Sequence, residues 1–154
     1  VDQGNLRIQK FDSEGNFITK WGSYGDGDGQ FRNPQGIATD ASGNVYVADP
    51  YNSRIQKFDP EGNFITKWGE YGSKDGKLYY PEGLATDRSG NVYVADTYNN
   101  RIQKFDSKGN FITKWGEYGS EDGEFSHPHS LAVGASGNIY VADTANNRIQ
   151  KFGA

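Results

Sequence analysis

The sequence predicts an all-β fold, a β-propeller of four-stranded blades with about three blades in the chain. Three observations predict it. Motifs recur at a fixed step of 47 residues. Each step holds four short strand signals separated by Gly/Asn turns, and those strands are apolar on both faces.

The step is set by Arg-Ile-Gln-Lys-Phe, which begins at Arg7, Arg54, Arg101 and Arg148. Trp21, Trp68 and Trp115 keep the same spacing, as do Pro34, Pro81 and Pro128, and Tyr46, Tyr93 and Tyr140. No insertion breaks the register, and residues 54–100 match residues 101–147 at 33 of 47 positions. Such similarity implies recent duplication or deliberate design.

In chain order the elements read as follows. Arg7–Phe11 and Phe17–Trp21 are two strands of a partial blade (residues 1–22). The first full unit, residues 33–69, opens with Gly36–Thr39 and turns at Asp40 to Asn44. It continues through Val45–Ala48, turns at Asp49 to Ser53, and enters Arg54–Phe58. After Asp59 to Asn63 it ends in Phe64–Trp68. Gly and Asn mark these turns because tight hairpins need positive φ. A Gly-rich loop, Gly69 to Tyr80, leads to Pro81 and the second unit, residues 80–116. Residues 127–154 give a last partial blade with strands Ser130–Val133, Ile139–Ala142 and Arg148–Phe152. Both parities of these strands are apolar, as Val45 and Tyr46 illustrate, so the sheets should lie sandwiched between neighbours.

The segments VADPYNSRIQKFD, VADTYNNRIQKFD and VADTANNRIQKF resemble the signature of NHL repeats, in which D-x-x-N-x-R-I/V joins the second and third strands of a blade. The Gly-rich loop, the Pro-x-Gly lead-in and the SGN-V-Y-V strand resemble that family too, over essentially the whole chain. The resemblance implies a propeller of six blades and partners that are proteins, peptides or RNA.

With strands lettered a to d from the axis outward, the chain starts with c and d and ends with a, b and c. Three blades would leave two apolar blade faces exposed, which a soluble monomer rarely does. A two-fold dimer would close a six-bladed ring, leaving one copy of the Arg-Ile-Gln-Lys-Phe strand redundant. The expected partner is therefore a second copy of the chain.

Composition excludes several classes. Net charge is −4, which gives no pull toward nucleic acid or an anionic membrane. No stretch has the roughly 20 apolar residues of a membrane span, and no signal peptide is read. With no Cys, disulfide and thiolate chemistry are out. The chain also lacks Met and begins at Val1, as a processed, excised or trimmed product would. No compartment is assigned.

Repeated polar residues read as structural. Asp49, Asn52 and Arg54, with Asp96, Asn99 and Arg101 and then Asp143, Asn146 and Arg148, should cap turns and tie strands, since a catalytic group is seldom needed in every blade. Asp28, Asp75 and Asp122 precede Gly in the d-to-a loops without the rest of a calcium loop, and also read as turn caps. Trp21, Trp68 and Trp115, with Tyr24, Tyr71 and Tyr118, read as packing between outer strands rather than a row for stacking sugars or bases. Gly134 departs from Asp40 and Asp87 at the equivalent turn.

Function is sought where the repeats disagree. Around the recurrent proline they read Asn33-Pro-Gln35-Gly36, Tyr80-Pro-Glu82-Gly83 and His127-Pro-His129-Ser130. These segments lead into strand a, so Asn33, Gln35, Tyr80, Glu82, His127 and His129 are the candidate ligand residues of one channel mouth. His129 and Glu82 are the candidates for a divalent metal, against the simpler reading as solvated channel residues. No catalytic order, nucleophile elbow or phosphate loop is present. The expected function is a non-catalytic binding or assembly scaffold with no cofactor. The alternatives are an RNA-binding module and a metal-dependent hydrolase or lyase.

Overall fold

The computed structural model describes residues 1–153. The thirteen strands fall into four antiparallel sheets. β1 (Ile8–Phe11) and β2 (Phe17–Trp21) form a two-stranded sheet. β3 (Ile37–Thr39), β4 (Val45–Asp49), β5 (Arg54–Phe58) and β6 (Phe64–Trp68) form the first complete blade. β7 (Pro81–Thr86), β8 (Val92–Asp96), β9 (Arg101–Phe105) and β10 (Phe111–Trp115) form the second. β11 (Pro128–Val133), β12 (Ile139–Asp143) and β13 (Arg148–Phe152) form the last. The helical segments of the described chain are four short 3-10 turns, one before β1 and one at each b–c connection. The result is an arc of a propeller.

Strand boundaries follow the sequence reading to within a residue at β1, which begins at Ile8, and at strand b, which runs on to Asp49 and Asp143; strand a differs more. Strand a begins at the proline in the second and third units, but at Ile37 in the first. A bulge between Pro81 and Leu84 lets Pro81 pair with Asp96, and proline at the first residue of a strand forfeits no ladder bond.

The core lies between blades. Tyr46, Ala48 and Ile55 of the first complete blade pack against Leu84, Val92, Val94 and Phe105 of the second. Ala85, Tyr93, Ala95 and Ile102 of the second pack against Leu131, Ile139 and Val141 of the third. Ile8 of the partial blade does the same against Val45, Val47 and Phe58. This is why both parities of a strand are apolar: each face belongs to a different interblade core.

Glycine sets how closely blades approach. A Cβ on Gly36 would collide with the Glu82 carbonyl oxygen, and one on Gly83 would lie 2.6 Å from the His129 carbonyl oxygen and 2.8 Å from Ser130 Cα. Farther out, Gly62 and Gly109, at φ +92° and +91°, lie against the rings of Trp21 and Trp68 from the preceding blade.

Candidate functional site

Antiparallel order brings the b–c turns and the d–a loops to one end of the arc. The turn motif binds them together. Asp96 is fully buried, and one carboxylate accepts from the Tyr79 amide at 2.7 Å, from the Asn99 amide group, from Arg101 Nε at 2.7 Å and from Gln103 Nε2 at 3.0 Å. Arg101 in turn donates to the backbone oxygens of Ser73, Lys74 and Lys77 at 2.7, 3.0 and 2.9 Å. Asp49, Asn52 and Arg54 make the equivalent clasp on Asp26, Gly27 and Gln30. Asp143, Asn146 and Arg148 make it on Ser120, Glu121 and Glu124. Burial raises the Asp96 carboxyl above its ordinary range, against the pull of the Tyr79 amide, Asn99 and Arg101.

A fourth copy of this motif escaped the sequence reading. Asp2, Asn5 and Arg7 are joined by Asn5 Nδ2 to Asp2 at 3.0 Å and Arg7 Nε to Asp2 Oδ2 at 2.6 Å. Its signal was legible, since Val1-Asp2-Gln3-Gly4-Asn5-Leu6-Arg7 keeps the D-x-x-N-x-R spacing.

Asp28 and Asp75 are corrections to the turn-cap expectation: Asp28 accepts from Lys67 Nζ at 2.7 Å, and Asp75 pairs with Lys114. The capping carboxylates are those of the a–b and c–d turns. Asp59 Oδ1 accepts the Glu61 and Asn63 amides at 3.0 and 2.8 Å, for example. Each Trp of the outer row packs on a phenylalanine of the next blade, with Trp21 to Phe58 and Trp68 to Phe105 at 5.7 and 5.8 Å between centroids. The companions Tyr24, Tyr71 and Tyr118 stay largely exposed.

The segments around the recurrent proline come together. A cleft of about 310 Å³ is lined by Val1, Gln3, Pro34, Gln35, Gly36, Glu82, Gly83, His129 and Ser130. Glu82 is buried, and its Oε1 lies 3.3 Å from Nε2 of the exposed His129. No three of the described His, Cys, Asp or Glu side chains are grouped to share a metal ion, so the two metal candidates meet each other rather than a third donor.

Asn33, Tyr80 and His127 form the rim one step outward. There they meet residues that repeat comparison did not single out, Tyr51 and Tyr98 of the b–c turns. Tyr51 is edge-on to Tyr80 at 5.3 Å, Tyr80 stacks on Tyr98 at 4.8 Å, and Tyr98 is edge-on to His127 at 5.6 Å. Asn33 Nδ2 donates to the Tyr80 hydroxyl at 3.3 Å. Burial, then the Tyr51 contact and the Glu82 charge, push the Tyr80 phenol up to about 12.

Comparison with known proteins places this architecture. A structural-genomics protein of unknown function from Bacteroides thetaiotaomicron superposes with a TM-score of 0.76 at 17% identity, over 97% of this chain and 42% of that one. Virginiamycin B lyase from Staphylococcus aureus superposes with a TM-score of 0.63 at 17% identity, over 99% and 50%. A calcium-binding regucalcin from Agrobacterium tumefaciens gives 0.56 at 16% identity, over 78% and 45%. At these identities the likeness is one of fold. The chain spans half or less of each of these proteins. No curated protein matches it in sequence. The model of the NHL repeat matches residues 31–58, 78–105 and 125–152, together more than half of the chain, and the chain belongs to the NHL-repeat family of β-propellers.

Proposed function

We propose that the chain is a non-catalytic binding and assembly scaffold, one half of a six-bladed ring that a second copy completes. One observation carries the reading: contacts that the first two internal junctions make leave unmatched halves at the three-stranded last blade and at the β1–β2 hairpin. Trp21 covers Gly62 and Trp68 covers Gly109, which leaves Trp115 beside the three-stranded last blade and Gly15, with open space above it, in the β1–β2 hairpin. Lys67 pairs with Asp28 and Lys114 with Asp75, which leaves Lys20 and Asp122. Lys10 and Lys57 donate to the carbonyl oxygens of Pro60 and Ser107 in the next blade, whereas Lys104 pairs with Asp87. In a two-fold ring Trp115 covers the partner's Gly15 and Asp122 receives the partner's Lys20.

Both contacts keep the β1–β2 hairpin intact. The partner's β1 then occupies the third position of the closing blade and displaces β13. Light scattering at micromolar concentration should give twice the 17.0 kDa chain mass. A mass of one chain would defeat the ring. Deleting residues 1–22 should abolish association, whereas deleting residues 148–154 should spare it.

The scaffold reading extends to chemistry. The acid–base pair lining the cleft is Glu82 and His129, and each engages the other. No turnover of ester, lactone or peptide substrates is expected. Metal-dependent turnover lost in His129→Ala would overturn this. Salt-sensitive RNA binding with a micromolar constant would favour the nucleic-acid alternative instead.

A further inference from the structure

The rim carries a continuous aromatic track from the first complete blade to the third: Tyr51, Tyr80, Tyr98 and His127, with Tyr79 branching from Tyr98 at 5.1 Å. Its path is about 16 Å, the reach of about five extended residues at ~3.3 Å each. Tyr51 is 63% exposed and Tyr98 44%, so the rings do not serve the interblade core.

Two further observations set the track apart from ordinary surface. Tyr80 and His127 lie in the left-handed region, at φ +57° and +52°, immediately before a proline. Bulky residues rarely adopt that conformation, and strain of this kind persists where the surroundings impose it, often at binding sites. Asn33, the residue type that tolerates the left-handed region best, is not in it at the equivalent position.

The second observation is charge. Glu82 is buried beside Tyr80 at the inner edge of the track. Beyond His127, the third d–a loop carries Glu117, Glu121 and Glu124, and none of them forms an ion pair among the described residues. The residue equivalent to Glu117 in the second loop, Glu70, does, with Lys77. Aromatic rings beside uncompensated carboxylates attract a cation on an extended chain and repel a phosphate backbone.

We propose that the Tyr51–Tyr80–Tyr98–His127 track binds an extended peptide through its Arg or Lys side chains, with Glu82 and the third d–a loop supplying the counter-charge. This deepens the binding-scaffold reading but does not depend on ring closure, because the whole track lies within one chain.

The test is fluorescence anisotropy with two labelled hexapeptides, one of alternating Gly and Arg, the other of alternating Gly and Glu. The Arg peptide should bind at least tenfold more tightly. Tyr98→Ala and, separately, Tyr51→Ser should each weaken it by roughly tenfold. Glu82→Gln should cost several-fold, and Tyr24→Ala, an exposed tyrosine outside the track, nothing. Equal binding of the two peptides would overturn the proposal. So would Arg-peptide binding that survives both tyrosine variants while Glu117→Gln with Glu121→Gln abolishes it. Light scattering on the same samples separates this outcome from failure of the ring: a one-chain mass with intact peptide binding removes the ring alone.

Discussion

The pentapeptide Arg-Ile-Gln-Lys-Phe occupies the same strand position four times in two different environments. In β5 and β9 every residue but the lysine is buried. In β13 none is, and in β1 only Ile8 is. Phe58 and Phe105 are fully enclosed, whereas Phe11 is half exposed. Identical local chemistry thus yields core or surface according to whether a neighbouring blade stands on each side. In such a fold the stabilising unit is the junction between blades rather than the blade itself.

This contrast should show most strongly in truncations. Phe105→Ala removes a fully enclosed ring and should cost about 3–5 kcal/mol in urea unfolding, while Phe152→Ala should cost less than half as much. The buried ion pair behaves alike. Asp96→Ala strands Arg101, whose side chain is 8% exposed, and should cost about 3–5 kcal/mol. Asp2→Ala, at a partly open copy of the same clasp, should cost about 1 kcal/mol or less. Equal losses at the paired sites would mean that the edge blades are as enclosed as the middle ones.

The next effect concerns the close approach of strand a. Gly83→Ala forces a methyl group into the backbone of the third blade and should destabilise by about 1–3 kcal/mol. Ser130 holds the equivalent position at the outer edge, where the same contact would meet the partner's Gln35 in a closed ring. Ser130→Gly should therefore leave single-chain stability unchanged and tighten self-association by roughly tenfold. Weaker association in that variant would place the closing contact elsewhere.

The smallest effect is acid sensitivity of the turns. Asp12, Asp59 and Asp106 are held below the ordinary carboxylate range, first by the side-chain amides of Asn16, Asn63 and Asn110 and then by backbone amides. Because the folded-state values are depressed, their contribution is present above the unfolded carboxylate range and is lost as pH falls through the folded values. Stability should decline below pH ~4, and less steeply in Asp59→Asn. The third a–b turn has Gly134 in place of the carboxylate and keeps its Gly134 amide to Asn138 oxygen bond at 2.8 Å, so it should not contribute to the slope.

Strand positions and the interblade character of the core were legible because a fixed period exposes both at once: where Val45 and Tyr46 are both apolar, both faces must be covered. The Glu82–His129 meeting was legible in part, since residues at one repeat position converge wherever a propeller places strand a. Two things were not. Asp28 and Asp75 lie 39 residues from the lysines they pair with, a separation made short only when the d–a loop crosses the end of the blade it leads into. Tyr51 and Tyr98 sit at a loop position where neighbouring copies carry Gly4 and Ala145, so nothing local distinguishes them from solvent-facing turn residues. The track appears only when a b–c turn is seated beside the next blade's d–a loop.

The arginine clasp has an evolutionary consequence. Arg54, Arg101 and Arg148 hold each d–a loop by its backbone oxygens alone, at Asp26, Gly27 and Gln30 and their equivalents. A carbonyl oxygen is the same whatever side chain its residue carries. The loop's path is thereby uncoupled from most of its sequence, and the three loops indeed differ at several positions while following one course. Mutation can explore new surface chemistry there without first risking the fold, as hypervariable loops do on a fixed framework. A library that randomises residues 26, 73 and 120 while sparing the glycines would draw on that freedom directly.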